Sequence, residues 1–181
     1  MGASLRGLLL VGMRGAGKSA AGRAAAIHAN WAFVDLDEIA LSLCGAATVA
    51  GVFAEPDGAA RWRAAERDAL ESATSGAGCP RIIAIGAGAP EHPPTAAVIL
   101  AARARGWRVV HVQASAHACA ARIAADPAGR PSITGSGLAE EIAGLHARRT
   151  PIYESICDLT VDGDLALTEV ARSIARAASD S

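Results

Sequence analysis

The chain has 181 residues, is 51% hydrophobic and carries a formal net charge of −1. That length suits one domain, residues 1–181, with enough apolar material for a core without staples. Near-neutral charge and an aromatic content of 3% argue against nucleic acid as the main partner, which needs a basic face or stacking rings. No apolar run approaches bilayer length, and the run from Leu8 to Met13 is too short for a signal h-region, so no membrane partner is expected. Cys44, Cys79, Cys119 and Cys157 lie far apart without a C-x-x-C pair. They are expected to be buried thiols of a reducing compartment, and the protein to be cytoplasmic.

Short β-like runs alternate with longer alanine-rich stretches, the pattern of an α/β fold with a parallel sheet covered by helices. Strands are predicted over residues 8–11, 32–34, 81–85, 108–112 and 158–161. Helices are predicted over 19–29, 38–43, 58–72, 94–103, 115–124 (with Ser115 as cap), from Leu138 through Leu145, and 165–178. In the third of these, Trp62, Ala65, Ala69 and Leu70 fall on one apolar stripe. Residues 126–137 hold two prolines and three glycines and are expected to be a mobile surface loop.

The first predicted strand runs into Gly12-Met13-Arg14-Gly15-Ala16-Gly17-Lys18-Ser19, a G-x-x-x-x-G-K-[ST] phosphate loop followed by a helix. Lys18 is the chain's single lysine among seventeen basic residues. A compact ammonium fits a tight backbone loop where a guanidinium is wider. Backbone N–H groups from Gly15 through Ala16 and Gly17 to Ser19 would cradle phosphates, and the Ser19 hydroxyl would ligate Mg²⁺.

Asp35 and Asp37 end the second strand, where open α/β sheets bind ligands. Alternation along an extended chain would send their carboxylates to opposite sides. One then meets Mg²⁺ and the other a second substrate; alternatively, Asp35 merely caps the next helix. Arg63, Arg122, Arg130 and the pair Arg148 and Arg149 are candidate cations for a triphosphate and an anionic acceptor, solvated helix charge being the competing explanation for any one of them. Gly86, Ala87 and Gly88 would let a substrate approach the backbone, or simply form a turn. The five histidines are read as surface or packing residues.

Six motifs in order resemble shikimate kinase, including the kinase module of the fused fungal enzyme of the same pathway. They are the phosphate loop, residues 33–37, Trp62-Arg63 followed by Glu66, residues 85–89, Gly129-Arg130-Pro131, and residues 148–153. The resemblance implies a P-loop kinase with a five-stranded parallel sheet, a lid about 126–137 and a small helical substrate-binding region about 36–65. It implies transfer of the γ-phosphate of ATP, with Mg²⁺, to the 3-hydroxyl of shikimate by a monomer. Position by position, Lys18, Asp37 and Arg130 would be catalytic, and Asp37 would bind the ring hydroxyls and help to accept the hydroxyl proton. Arg63 and Arg149 would hold the carboxylate, residues 86–88 would line the ring, and Ser19 and Asp35 would attend the metal. Residues 15–20, ending at Ala20, would hold ATP with Arg122 and Arg130. Three departures stand out: Ala87 where the family has glycine, Trp62 where phenylalanine is common, and Ser-Ile-Thr after Pro131 in place of an apolar pair. Kinases of other polyol acids (quinate, gluconate) and a catalytically silent nucleotide-binding module are the competing readings.

Overall fold

Strands and helices alternate along the chain as the periodicity predicts. A computed structural model describes residues 5–76, 78–125 and 137–179. Strands β1 (Gly7–Val11), β2 (Ala32–Asp35), β3 (Arg81–Ala84), β4 (Trp107–Gln113) and β5 (Leu159–Asp162) form one sheet in the order β2-β3-β1-β4-β5. All pairs are parallel. β1 is central: Leu9 stands between Ile83 and Val109 in register. Its run of Leu8, Leu9 and Leu10 is unbroken because both sheet faces are covered, and each of the three is 0% exposed.

Helix α1 (Lys18–Ala29) packs with α8 (Leu167–Ser179) over one face. Helices α4 (Gly58–Ser75), α5 (Pro93–Ala104) and α7 (Leu138–Ile156) cover the other. Right-handed crossovers dictate this division, since the step from β1 to β2 runs one way along the sheet and the later steps run back. The short helix α6 (Ala116–Ala124) packs on α7, with the Ser115 hydroxyl accepting from the Ala118 N–H as its predicted cap.

Between β2 and β3 the chain inserts α2 (Leu36–Cys44), α3 (Val49–Ala54) and α4. Ala40, Val52, Trp62 and Ala65 form a second small core inside this insert. The predicted stripe of α4 is buried as expected. Helix α3 has no counterpart among the predicted elements.

One expectation needs correcting. Only Cys119 is buried; Cys44 and Cys157 are half-buried and Cys79 is exposed. Cys79 lies in the turn between α4 and β3, outside either element. None of the four is paired. No described helix is long and apolar enough to cross a membrane.

Candidate active site

The phosphate loop forms as its glycines require. Gly15 and Gly17 adopt φ of 80° and 90°, values that L side chains rarely reach. Gly15 also packs tightly: a Cβ there would stand 2.6 Å from the Cys119 carbonyl, so the loop is seated on α6. Gly17 caps α1 without a side-chain bond, which keeps side chains off the positive end of that helix. Lys18 Nζ donates to the carbonyls of Gly12 (2.9 Å) and Met13 (3.0 Å). The ammonium is thus folded back over the loop. Ser19 and Ala20 are exposed in the first turn of α1.

Arg122 joins this loop to the turn that follows β5. Its Nη1 donates to the carbonyls of Gly15 and Ala16 (both 3.4 Å) and its Nη2 to that of Gly163 (2.9 Å). Beside it opens a cavity of about 370 Å³, lined by Ala16 and Gly17 from the loop, by Ala20 from α1 and by Leu165 and Leu167 before and in α8. Neither leucine carries a local sign of this role in the sequence. Helix α8 starts at Leu167 rather than 165, after a turn in which Asp164 accepts from the Ser115 N–H (3.0 Å) and Asp162 accepts from the Asp164 N–H (2.9 Å). That bend turns the two leucines toward the loop.

On the other side of β1, Asp35 and Asp37 are not two alternating strand residues. β2 stops at Asp35, which is the N-cap of α2, and its Oδ1 accepts from the Asp37 N–H (3.1 Å). Asp37 therefore lies in the first turn of a helix, and the predicted opposite orientation of the two carboxylates does not apply. The capping explanation for Asp35 is the observed one.

Asp37 meets the glycine turn. A Cβ on Gly86 would lie 2.8 Å from Asp37 Oδ1 and nearer still to Glu66, and one on Gly88 would lie 2.5 Å from an Arg63 terminal nitrogen. Side chains from α2 and α4 thus close over the turn after β3. Arg63 and Glu66, one turn apart on α4, form an ion pair, with Glu66 only 2% exposed. Burial pushes the Glu66 carboxyl above its ordinary range; Arg63 opposes this and the nearby Asp37 adds to it. Glu66 entered the sequence argument only as a motif letter, although its spacing of three from Arg63 is the helical signal for a pair.

Helix α7 closes the turn from the third side. The Tyr153 hydroxyl donates to the Ala87 carbonyl (2.6 Å), and burial raises the phenol well beyond its ordinary range, so it acts as a fixed neutral donor. One helical turn earlier, Arg149 donates through Nε to Glu91 Oε2 (2.7 Å), while Arg148 Nε reaches Oε1 of the same carboxylate (2.7 Å). Glu91 ends a 3-10 turn, Ala89–Glu91, directly after Gly88. Under these groups His111 is buried, its ring 5.2 Å from that of Tyr153. This agrees with a packing role for that histidine. Arg130 and the rest of 126–136 lie outside the described residues.

The arrangement sets the phosphate loop between this cavity and a cluster of carboxylates and guanidiniums. Residues 14–179 match the family model for shikimate kinase. The chain belongs to the shikimate kinase family. It is 34% identical over 157 residues to a shikimate kinase of Stenotrophomonas maltophilia (strain K279a), covering 87% of this chain and 82% of that one. It is 36% identical over 159 residues to shikimate kinase 2 of Yersinia pestis (strain Pestoides F), covering 86% of each. Among solved structures, shikimate kinase from Acinetobacter baumannii in complex with shikimate superposes with a TM-score of 0.82 at 24% identity, over 97% of this chain and 93% of that one. A gluconokinase from Sinorhizobium meliloti 1021 shares the frame more loosely, with a TM-score of 0.56 at 17% identity over 96% and 94%. At these identities the structural likenesses speak for the fold, and the family rests on the sequence matches.

Among the described residues no three His, Cys, Asp or Glu side chains gather as a metal cage. A hydroxyl at the loop and a carboxylate at a strand end are nevertheless the hard oxygen donors that Mg²⁺ takes, usually one or two from protein with water and phosphate supplying the rest.

Proposed function

We propose that this shikimate kinase family member transfers the γ-phosphoryl group of ATP to the 3-hydroxyl of shikimate, releasing ADP. The observation that carries the residue roles is the closure of Asp37, Arg63 and Glu66 over Gly86 and Gly88, beside a phosphate loop whose lysine is already turned inward. Phosphoryl transfer asks little covalent chemistry of a protein; it asks for alignment and for charge opposite the moving group.

In this reading residues 15–20 and Lys18 hold the β- and γ-phosphates, and Arg122 flanks the nucleoside beside the cavity. Arg63 and Arg149 hold the acceptor's carboxylate, residues 86–88 line its ring, and Asp37 orients the hydroxyl and takes its proton as the new P–O bond forms. Ser19 and Asp35 would attend Mg²⁺, which when bound draws charge from the phosphates; Asp35 would do so while capping α2. Arg130 and a lid over 126–137 would complete the nucleotide side, and residues 36–65 the acceptor side. The reading also has a monomer in the cytoplasm, and the four unpaired cysteines support the reducing compartment.

The test is ADP release with shikimate, quinate, gluconate or no acceptor. Shikimate-dependent turnover well above the other three is expected, and its absence would overturn the proposal. Asp37→Asn should lower kcat by about 10² to 10⁴, the usual contribution of a positioned base, while ATP binding measured by titration stays within about twofold. Normal turnover in that variant would remove Asp37 from its role.

A further inference from the structure

Glu91 divides one carboxylate between two arginines that are 57 and 58 positions away in sequence. Arg148 is 62% exposed and Arg149 only 9%, so the same group joins a solvated cation to a nearly buried one. Arg149 is engaged through Nε, at 2.7 Å. Its two terminal nitrogens, the fork that a carboxylate accepts bidentately, take no other hydrogen bond among the described residues. Turning the guanidinium would break the Nε bond, so Glu91 decides which way the fork points.

Two further contacts tie the helix of Arg149 to the acceptor-side turn. Tyr153, four residues on along the same face of α7, holds the carbonyl of Ala87. Glu91 itself closes the 3-10 turn that begins next to Gly88. Helix α7 is therefore tied to the acceptor-side turn at two places, by Tyr153 at Ala87 and by Arg149 at Glu91. A glutamate so near an anion site also subtracts charge. Two arginines against one carboxylate still leave the group positive, and the hydrogen bonds of both arginines outweigh burial to keep Glu91 ionised.

We propose that Glu91 is a positioning residue for the acceptor: it orients the Arg149 fork and thereby sets the affinity for the acceptor's carboxylate. This rests on the reading of the chain as a kinase of shikimate. Nothing in the sequence marks Glu91, which follows Pro90 and lies far from either partner.

The test is calorimetric titration of the full chain with shikimate and with shikimate methyl ester, for the wild type, Glu91→Gln and Glu91→Ala. Glutamine keeps one acceptor oxygen for two donors; alanine keeps none. The Kd for shikimate should rise about threefold in Glu91→Gln and about tenfold in Glu91→Ala, as one or more charge-assisted bonds are lost. The methyl ester, which cannot accept as a carboxylate, should bind all three proteins alike, and ATP binding should not change. An unchanged or lower Kd for shikimate in Glu91→Ala would overturn the proposal, because charge subtraction would then outweigh orientation. Equal weakening of acid and ester would overturn it too, showing general damage to the site. If the wild type binds no shikimate, the kinase reading falls and takes this inference with it.

Discussion

Lys18 shows how much one residue can carry. Its Nζ bridges two carbonyls of its own loop, a geometry that needs a small tetrahedral donor on a flexible stem. Lys18→Arg keeps the charge but cannot fold into the same space. We expect it to lose kcat by at least about 100-fold, the scale for removing one well-placed charge donor. Its melting temperature should stay within a few degrees, because the bonds it gives up lie in a partly exposed loop. Wild-type turnover in Lys18→Arg would show that charge alone suffices. The loop was legible in the sequence because its constraints are local: positive φ at Gly15 and Gly17, a strand before and a helix after. The pairing of Glu91 with Arg148 and Arg149 was not, since no local rule links residues so far apart. Asp37 was legible from its place at the carboxyl end of β2, and it does follow that strand directly. Only the orientation inferred from strand alternation fails, because Asp35 ends the strand by capping α2 and puts Asp37 in the first turn of the helix.

At the scale of elements, the insert of α2, α3 and α4 is a small core attached to a larger one. Helix α3 escaped prediction because six residues containing a glycine carry too little periodicity to register; the Thr48 hydroxyl, accepting from the Gly51 N–H at 3.0 Å, makes it a helix. Gly58, the first residue of α4, presses on the Val52 carbonyl so closely that any Cβ would overlap it. Gly58→Ala must therefore push α4 away from α3, at a cost of about 1–3 kcal/mol for an overpacked contact. Because α4 carries Arg63 and Glu66, the displacement should raise KM for the acceptor several-fold and leave KM for ATP unchanged. Equal changes in both constants would mean that the two sides of the site are not mechanically separate. Helix α7 makes a different point. It runs through Pro151 to Ile156, beyond the residues whose periodicity announced it, since Arg149, Tyr153 and Ile156 are buried along its inner face and packing outweighs the missing N–H.

At the scale of the molecule, His111 links stability to pH. It is 2% exposed on β4, and its Nδ1 has no hydrogen-bond partner among the described residues. Burial, with His146 and Lys18 adding repulsion, lowers its pKa from 6.5 to about 4. The folded state thus keeps it neutral while the unfolded chain takes up a proton below pH 6.5. The stabilisation is present above that value and drains as pH falls toward 4. The melting temperature should decline between pH 6.5 and 5, ahead of most carboxylate titration, and His111→Phe should flatten that part of the curve while keeping the stack on Tyr153. A variant that declines as steeply as the wild type would assign the loss to other groups.

The strand order has a consequence for how such a chain can change. β4 and β5 lead into the residues around the cavity, whereas β2 and β3 lead into Asp37, Arg63 and the glycine turn. β1 stands as a watershed between them, with the phosphate loop at its carboxyl end. Each slope has its own loops, and α7, which follows β4, reaches across to the glycine turn through Arg149 and Tyr153. A chain laid out in this way can exchange its customer and keep its currency: recast residues 36–75 to grip a different hydroxyl, match them from α7, and the same nucleotide still arrives at the same point.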